Sequence, residues 1–531
     1  MSEESKKIFI KGAFILAVAG ILVKILGAFF RIPLANIIGP EGMAYYQSAY
    51  SIYSLLYIVA TLGLPVAISK LISEKIASGD YFGARRTFRL AVSVFFIVGI
   101  VLFLLSFIFA RNIVAMYKDV DGAIYGIRVL SFSFLFITVN TIFRGYFQGL
   151  QNMKPTALSQ IIEQLARVLF GLFLAFLYLK KGAEFATAGA VAGTVIGAFF
   201  SLLLLAIIYY KKSKSKTEIE KIKESKGLYD EGKKSLIVKN IFAISIPVAV
   251  GSIVMPVMNF IDNIIITHRL SFAGFEPEQV RILYGRFSSF VVPIVDMPIS
   301  VIVAIAISIV PAVAITKKAK NEELFSHNII LSLRITSIFA FPCMFGLIFL
   351  ANPILTLLYP MQYKEAVASV NILIVFSLIL VPLALITTLT GILQGLSKQL
   401  IPVINLAIGA VLKILITYVL TGFPSINVIG ACIGTIVAYL VALCLNFYFM
   451  IKYSKIKIPF YKVLILPCGS AIIMGFVALL SHIVFSKFAG NTISTGIAII
   501  IGAFIYFAIM FLSKGITKED LKLILKKRIK E

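Results

Sequence analysis

Apolar stretches of about 20 residues, the length that an α-helix needs to cross the hydrocarbon core of a bilayer, recur along the whole chain. Short polar segments separate them. Six stretches fall in each half of the chain, and two more follow at the C-terminal end. The pattern therefore predicts an all-α integral membrane protein with about fourteen transmembrane helices. The predicted spans are 12–38, 43–69, 90–110, 122–143, 156–179, 186–210, 240–266, 283–315, 328–350, 366–393, 400–421, 425–451, 463–485 and 492–512.

The composition supports this class. Of the 531 residues, 60% are hydrophobic, and the mean hydropathy is +0.99. Soluble domains contain about 45 to 50% apolar residues. With the N-terminus in the cytoplasm, the cytoplasmic segments hold 35 of the 50 Lys and Arg residues and the outer loops hold 8. This asymmetry satisfies the positive-inside rule and predicts that both termini are cytoplasmic.

The net charge of +26 is explained by this topology, so nucleic acid is not a predicted partner. The loop Lys211–Lys239 alone carries ten basic residues. We interpret it as a topology signal and a contact surface for anionic membrane lipids. A specific protein partner is the alternative.

The two halves of the chain share an internal repeat. At an offset of 246 residues, the segment Gly145–Leu150 matches Gly391–Leu396, and Arg167 aligns with Lys413. The alternative explanation is that short apolar segments match by chance. Because each half holds an even number of spans, the repeat predicts two six-helix lobes related by a pseudo-two-fold axis along the membrane normal. The predicted divisions are an N-terminal lobe 1–210, a basic linker 211–239, a C-terminal lobe 240–451, a helix pair 452–512 and a basic tail 513–531.

Several predicted spans contain prolines, which remove a backbone hydrogen bond and need another partner for the freed carbonyl. Such breaks suit moving helices that line a cavity, although prolines are also commoner in membrane helices than in soluble ones. For Pro311, near a cytoplasmic end, the second explanation is preferred. The others are Pro33, Pro65, Pro293 and Pro298.

Basic residues outnumber acidic ones inside the predicted spans by seven to three. A buried cation costs at least ~2.5 kcal/mol, and such charges usually face a protein interior or a wet cavity on a substrate path. The excess of positive charge therefore predicts a transporter of anions. The basic residues are Lys24, Arg31, Arg128, Arg167, Arg286, Arg334 and Lys413, and the acidic ones are Glu163, Asp262 and Asp296.

Lys24 and Arg31 are seven residues apart and share one helix face at a spacing of about 10.5 Å. Two cations on one stripe repel each other unless an anion or water lies against them. Pyrophosphate fits this spacing, and Arg can bind it in bidentate fashion. The alternative for Arg31 is an extended side chain that reaches the outer surface; Lys24 lies too deep for this to be easy.

The other embedded charges have alternative explanations. Arg286 faces a cavity or anchors the chain at the interface. Arg167 either binds substrate or pairs with Glu163 at i,i+4. Arg128 and Arg334 lie near span ends and are expected to reach the interface.

Three further polar positions lie within the predicted spans. Asp262, beside Asn263, suits Na⁺, a proton or a salt bridge to an Arg of the first half. Asp296, between two prolines, is expected to cap a broken helix.

Motifs for enzymatic chemistry are missing from the sequence. There is no P-loop, no HExxH motif and no cluster of His residues. No cofactor, metal or direct use of ATP is predicted, and a membrane glycosyltransferase or polymerase is disfavoured by the short predicted outer loops. The membrane potential can supply energy instead, about 2.3 kcal/mol per charge per 100 mV, and about twice that for a doubly negative head group moving outward.

Three segments resemble MurJ-type lipid II flippases, and more closely the Gram-positive branch that includes stage V sporulation protein B. They are Lys24–Gly39, Gly145–Leu150 and the run from Leu283–Phe287 through Ser308–Pro311. The resemblance implies two lobes around a central cavity, a groove for a lipid tail on the last two helices, and alternating access in a bacterial cell membrane. It also implies that Lys24, Arg31 and Arg286 bind the pyrophosphate.

The implied function is to move undecaprenyl-pyrophosphate-linked lipid II from the inner to the outer leaflet, with cell-wall synthesis proteins as potential partners. The alternatives are a flippase for another lipid-linked oligosaccharide (capsular, teichuronic or spore-cortex related) and a cation-coupled drug antiporter, which would need cavity carboxylates. The sequence also departs from the family pattern. Ile32 follows Arg31 where an acidic residue is common. Asp262 and Thr435 match a Na⁺ site of some members, but Lys413 stands where a carboxylate is expected, so sodium coupling is doubtful.

Overall fold

A computed structural model describes residues 3–61, 63–225, 234–300, 302, 313, 316–317, 322–513 and 515. All regular structure in these residues is helical, which confirms the predicted all-α class. Pro311, the run Ser308–Pro311 and the tail beyond 515 lie outside the described residues. The helices are α1 Glu3–Thr61, α2 Leu64–Ala77, α3 Tyr81–Ile108, α4 Ala110–Val114, α5 Ala123–Ser131, α6 Ser133–Gly149, α7 Lys154–Tyr178, α8 Ala183–Ser213, α9 Lys216–Ser225, α10 Lys234–Ser252, α11 Val254–Phe272, α12 Pro277–Gly285, α13 Glu322–Phe349, α14 Ala351–Leu358, α15 Tyr363–Ala368, α16 Val370–Ser377, α17 Leu380–Gly395, α18 Leu400–Leu420, α19 Ile429–Ser454, α20 Leu466–Phe485 and α21 Asn491–Leu512. A π-helical turn, Arg286–Val291, continues α12 into helical residues 292–300.

Helix α1 is broken at one residue, Gly39, which has φ 65° and ψ −178°. Gly39 precedes Pro40, whose ring disfavours a helical conformation in the residue before it. A left-handed φ with extended ψ is open almost only to glycine. A straight helix of 59 residues would be about 90 Å long, roughly three times the hydrocarbon thickness. The break therefore divides α1 into two segments of membrane-spanning length.

Eleven helices among the described residues are long and apolar enough to span a membrane, or twelve if α5 and α6, bent by 42°, form one span. The predicted count of fourteen is not confirmed. One of the eleven, Val18–Ala77, covers two predicted spans. The predicted span 240–266 falls on α10 and α11, which meet at Ile253 and are not among the eleven.

The chain divides into two compact units. The first is Met1–Ser271 with Glu276–Gly285, and the second is Phe272–Phe275 with Arg286–Glu531. Residues 240–266 therefore belong to the first unit by their contacts, whereas the repeat placed them in the C-terminal lobe. The predicted domain boundaries remain a prediction.

Close helix packing in both units depends on small residues. In the first unit, a Cβ on Gly193 of α8 would lie 2.5 Å from the Arg167 carbonyl oxygen of α7. In the second unit, a Cβ on Gly409 of α18 would lie 2.5 Å from the Ala438 carbonyl oxygen of α19. Such close backbone approach is typical of membrane helix pairs, where packing drives association.

The repeated Gln-Gly-Leu segment forms the same backbone turn in each unit. Leu150 has φ −81° and ψ 5°, and Leu396 has φ −80° and ψ 3°. The next residues, Gln151 and Ser397, are left-handed, with φ 56° and 61°. This agreement at the offset of 246 residues supports the internal repeat.

At two of the predicted helix breaks, the local structure differs from the prediction. Pro65 lies in the first turn of α2, where the missing N–H has no helical acceptor to lose; it begins a helix rather than interrupting one. Helical residues 292–300 continue through Asp296, whose carbonyl accepts a hydrogen bond from Ser300 Oγ at 3.1 Å. The prediction that Asp296 caps a broken helix was therefore wrong.

Candidate functional site

Lys24 and Arg31 lie on the N-terminal segment of α1. Lys24 is exposed and Arg31 is half-buried. Gly27 and Phe30 of the same segment face α7, because a Cβ on Gly27 would contact Gln164 and the Phe30 ring lies against Gly171. At 100° per residue, the stripe of Lys24 and Arg31 is centred about 80° around the helix from the centre of that packed face. Neither side chain has a hydrogen bond or ion pair within the described residues.

Arg167 of α7 is held by aromatic side chains of α1. Its guanidinium donates to Tyr46 Oη at 2.7 Å and to Tyr50 Oη at 3.2 Å. It also lies 5.3 Å from the Phe30 ring centroid and 4.9 Å from that of Tyr50. These cation–π contacts and neutral acceptors stabilise the charge without cancelling it. The i,i+4 ion pair with Glu163 considered from the sequence is not formed.

A cavity of about 240 Å³ adjoins Arg167 inside the first unit. Its wall includes Tyr50, Tyr53, Tyr57, Glu163, Gln164 and Arg167. Nε of Arg167 is buried and has no hydrogen-bond partner there. The cavity is therefore polar, with one positive group that is not paired to a carboxylate.

Arg144 of α6 is a buried base that sequence reasoning missed. The predicted span ended at 143, but α6 continues to Gly149, and Arg144 is 9% exposed. Its Nη2 lies 2.6 Å from Glu163 Oε2, and its guanidinium also donates to Ser159 and Ser201, each at 3.0 Å. Glu163 therefore forms its ion pair with Arg144 rather than with Arg167. The signal in the sequence was a basic residue directly before the repeated turn.

In the second unit, Arg286 begins the π-helical turn and donates from Nε to Glu365 Oε2 at 2.7 Å. Both side chains are about four-fifths buried, with exposures of 21% and 23%. The expectation that only Glu163, Asp262 and Asp296 pair with the embedded bases was therefore wrong. Glu365 was missed because it lies in a predicted outer loop, which the structure folds into α15.

Pro293 explains why this turn is π-helical. A proline cannot donate to the carbonyl four residues before it, and its ring presses against that carbonyl, so the helix widens there. The buried hydroxyl of Tyr359 compensates by donating to the carbonyls of Ser289 and Phe290, at 3.4 and 3.2 Å. The break around Arg286 is thus stabilised by a specific partner.

Asp262 and Asn263 lie buried in α11 of the first unit, with exposures of 9% and 5%. The Tyr284 hydroxyl donates to Asn263 Oδ1. Gly285 lies against α1, because a Cβ there would overlap the Pro40 carbonyl oxygen. Asn263 is therefore part of the packing that supports the broken α1.

The second unit contains Lys413 in α18 and Thr435 in α19. A Cβ on Gly434 would lie 3.1 Å from the Lys413 carbonyl oxygen, so the two helices pack closely at this level. The Thr435 hydroxyl donates to the Ala431 carbonyl oxygen at 2.8 Å within its own helix. No group of three or more His, Cys, Asp or Glu residues suited to a metal occurs in the part of the chain that the structure describes.

The two bases near span ends differ in environment. Arg128 is exposed, with its guanidinium carbon 5.7 Å from the Phe107 ring centroid. Arg334 is half-buried within α13.

An apolar groove of about 390 Å³ runs between α13, α20 and α21. Its wall includes Phe339, Leu347, Met474, Ile499 and Phe507. The hydroxyl of Tyr506, which also lines it, donates to the Ile338 carbonyl oxygen at 2.9 Å. The wall of the groove is therefore mainly apolar, and the groove has room for an apolar chain.

The chain is similar to several known proteins. A family described as polysaccharide biosynthesis protein matches residues 9–317. Lipid II flippase MurJ of Bacillus subtilis (strain 168) is 27% identical over 86% of this chain and 84% of its own length. Stage V sporulation protein B of the same organism is 25% identical over 98% of each chain.

A solved structure of a lipid II flippase MurJ, in an inward closed conformation, superposes with a TM-score of 0.67 at 19% identity. The alignment covers 94% of this chain and 98% of that one. At this identity the likeness establishes the fold, a multi-pass helical membrane protein.

Proposed function

Because this chain belongs to the polysaccharide biosynthesis protein family, we propose that it is a flippase for a lipid-linked precursor with a pyrophosphate head group. The proposed cargo is undecaprenyl-pyrophosphate-linked lipid II, moved from the inner to the outer leaflet of a bacterial cell membrane by alternating access. A relative of similar length bears the name of a lipid II flippase. The word flippase in that name describes transport, which supports a transporter rather than an enzyme.

One observation carries the proposal: within the described residues Lys24 and Arg31 have no carboxylate partner, whereas three other bases do. Arg144 pairs with Glu163, Arg281 with Glu41 and Arg286 with Glu365. Two unneutralised cations about 10.5 Å apart on one helix stripe are costly in a membrane. A diphosphate that bridges them would supply the missing negative charge through charge-assisted hydrogen bonds.

The apolar groove between α13, α20 and α21 supports a lipid-linked cargo. Burying hydrocarbon there provides binding energy of about 25 cal/mol per Å² without requiring polar partners. We assign the polyprenyl tail to this groove and the diphosphate to Lys24 and Arg31. Arg167, Lys413 and Arg286 remain proposed substrate-binding residues, and Asp262, Asn263, Thr435 and Glu163 remain proposed ion or salt-bridge residues.

The membrane potential is the proposed driving force. A doubly negative head group that moves outward gains roughly 4.6 kcal/mol per 100 mV if no cation travels with it. Both termini are proposed to be cytoplasmic, from the distribution of basic residues. Cell-wall synthesis proteins are proposed partners.

The test replaces Lys24 and Arg31 singly by Ala in cells that depend on this gene, and measures lipid II exposed on the outer leaflet. Losing one charged hydrogen bond costs about 1.5 to 3 kcal/mol, so we expect exposure to fall by about tenfold or more. Arg128→Ala, which removes an exposed base of the same type, is the matched control. Normal exposure in both variants at wild-type protein levels would refute the site.

Arg286 needs its own comparison because it is paired with Glu365. If Arg286 binds cargo, Arg286→Ala abolishes transport while Glu365→Gln, which keeps the guanidinium, retains most of it. Equal losses in both variants would show that the pair is structural and would remove Arg286 from the substrate-binding set.

A different lipid-linked oligosaccharide is the second candidate cargo. Stage V sporulation protein B aligns over 98% of this chain, compared with 86% for MurJ of the same organism. Depletion of this protein followed by mass spectrometry of cellular lipids separates the two cargoes. Accumulated lipid II supports the first, and another accumulated lipid-linked sugar supports the second.

A further inference from the structure

A second cationic pocket lies in the first unit, at the start of α3. It has a volume of about 430 Å³, and its wall includes Arg85, Arg86, Arg89 and Lys234. No acidic side chain lines it among the described residues. Arg86 and Arg89 are at i,i+3 and Arg85 and Arg89 at i,i+4, spacings at which like charges destabilise a helix.

For three of the four basic side chains of this pocket, no described neighbour supplies a compensating negative charge. Arg85, Arg89 and Lys234 form no ion pair in the part of the chain that the structure describes. Nε of Arg85 is buried and has no hydrogen-bond partner. The nearby Asp80 instead pairs with Lys75 at 2.9 Å and accepts from the backbone N–H of Gly83 at 2.6 Å.

The linker helix α9 completes the pocket. Ser225 Oγ accepts from the backbone N–H of Phe82 at 2.9 Å, and Lys221 Nζ lies 5.4 Å from the Tyr81 ring centroid. These contacts bring Ile222 to the pocket wall beside Phe82. The pocket therefore has a cationic part and an apolar part, and it joins α3, α9 and the start of α10.

We propose that Arg85, Arg89 and Lys234 form a phosphate-binding site that is separate from the cargo cations on α1. Guanidinium groups bind phosphate oxygens in bidentate fashion, and a cluster of bases at the cytoplasmic end of membrane helices is suited to an anionic head group. The apolar wall of Phe82 and Ile222 favours a phosphate carried by a lipid. A ligand here would tie the linker helix to α3.

The test uses the purified full-length protein in neutral detergent, with phosphatidylglycerol, inorganic pyrophosphate or zwitterionic phosphatidylcholine added. Native mass spectrometry counts bound molecules, and the thermal midpoint reports stabilisation, which follows from binding to the folded state. We expect phosphatidylglycerol or pyrophosphate to bind and to raise the midpoint, and phosphatidylcholine to do neither. Binding of phosphatidylglycerol alone assigns a lipid source, and pyrophosphate binding that is weakened by Arg85→Ala/Arg89→Ala assigns a soluble one.

The decisive variant is Arg85→Ala/Arg89→Ala, for which we expect at least about a tenfold weaker affinity. The control, Lys223→Ala/Lys239→Ala, removes two exposed charges from the linker that do not line the pocket. Arg89→Lys, which keeps the charge, should bind more tightly than the double variant. Equal weakening in the test and control pairs, or no binding of either anion to wild type, would overturn the proposal.

Asp230 and Glu231 of the linker lie outside the described residues, so their charges need a direct test. In the variant Asp230→Asn/Glu231→Gln we expect phosphate binding to be retained. If wild type does not bind either anion and this variant does, the chain's own carboxylates fill the pocket and the proposal fails.

Discussion

The ion pair between Arg144 and Glu163 gives a stability prediction that the structure makes quantitative. Nη2 of Arg144 lies 2.6 Å from Oε2 of Glu163, and the two side chains are 11% and 23% exposed. The same guanidinium donates to hydroxyls of Ser159 and Ser201 on two neighbouring helices. Arg144→Ala therefore leaves a mostly buried carboxylate without a cation and two hydroxyls without their donor.

Breaking a fully buried pair by removing one partner costs about 3 to 5 kcal/mol. Because Glu163 keeps some access to water, we expect Arg144→Ala to lower the free energy of unfolding by about 2 to 4 kcal/mol. The double variant Arg144→Met/Glu163→Gln removes both charges and leaves none uncompensated. Its loss should be smaller than the sum of the single losses by about 1.5 kcal/mol or more.

Unfolding by SDS in mixed micelles measures these differences. The chain has no Trp and 22 Tyr residues, so tyrosine fluorescence and circular dichroism are suitable probes. The control is Lys70→Ala, which breaks an exposed pair with Glu74 at 3.8 Å. That change should be within about 0.5 kcal/mol of wild type. Equal effects of Arg144→Ala and Lys70→Ala, or strict additivity in the double variant, would refute the reasoning.

Two other substitutions test the packing that shapes the helix breaks. Gly285→Ala should abolish stable protein, because the new methyl group overlaps a backbone carbonyl of α1; yield in membranes measures this, and Gly490→Ala, with open space around it, should accumulate normally. Tyr359→Phe should lower the free energy of unfolding by about 1 to 2 kcal/mol, because the Ser289 carbonyl loses its donor; an effect no larger than that of Tyr448→Phe, at a 59% exposed position, would contradict this role.

The helical class followed from apolar runs, because backbone groups in lipid must be satisfied within a helix. Helix ends were less predictable. A hydropathy window stops at a charged residue, so the predicted fourth span ended one residue before Arg144. Tertiary contacts with Glu163 and two serines allow the helix to continue through that charge.

The partners of the charges could not be read from the sequence. Spacing along one helix suggested Glu163 for Arg167, but neighbouring helices supply Tyr46 and Tyr50 instead. Glu365 reaches Arg286 from 79 residues away. In contrast, Lys24 and Arg31 were identified from the sequence as a stripe, because their spacing depends only on one helix. Their proposed role in cargo binding stays a prediction.

The turn shared by Gln151 and Ser397 has a consequence for substitution at these two positions. A left-handed conformation is unfavourable for residues other than glycine, and neither Gln nor Ser is among the residues that adopt it most readily. The helix end holds each residue in this conformation, because the N–H groups of Asn152 and Lys398 donate to the carbonyls of Phe147 and Leu393. Glycine at either position would therefore adopt the same turn with less backbone strain.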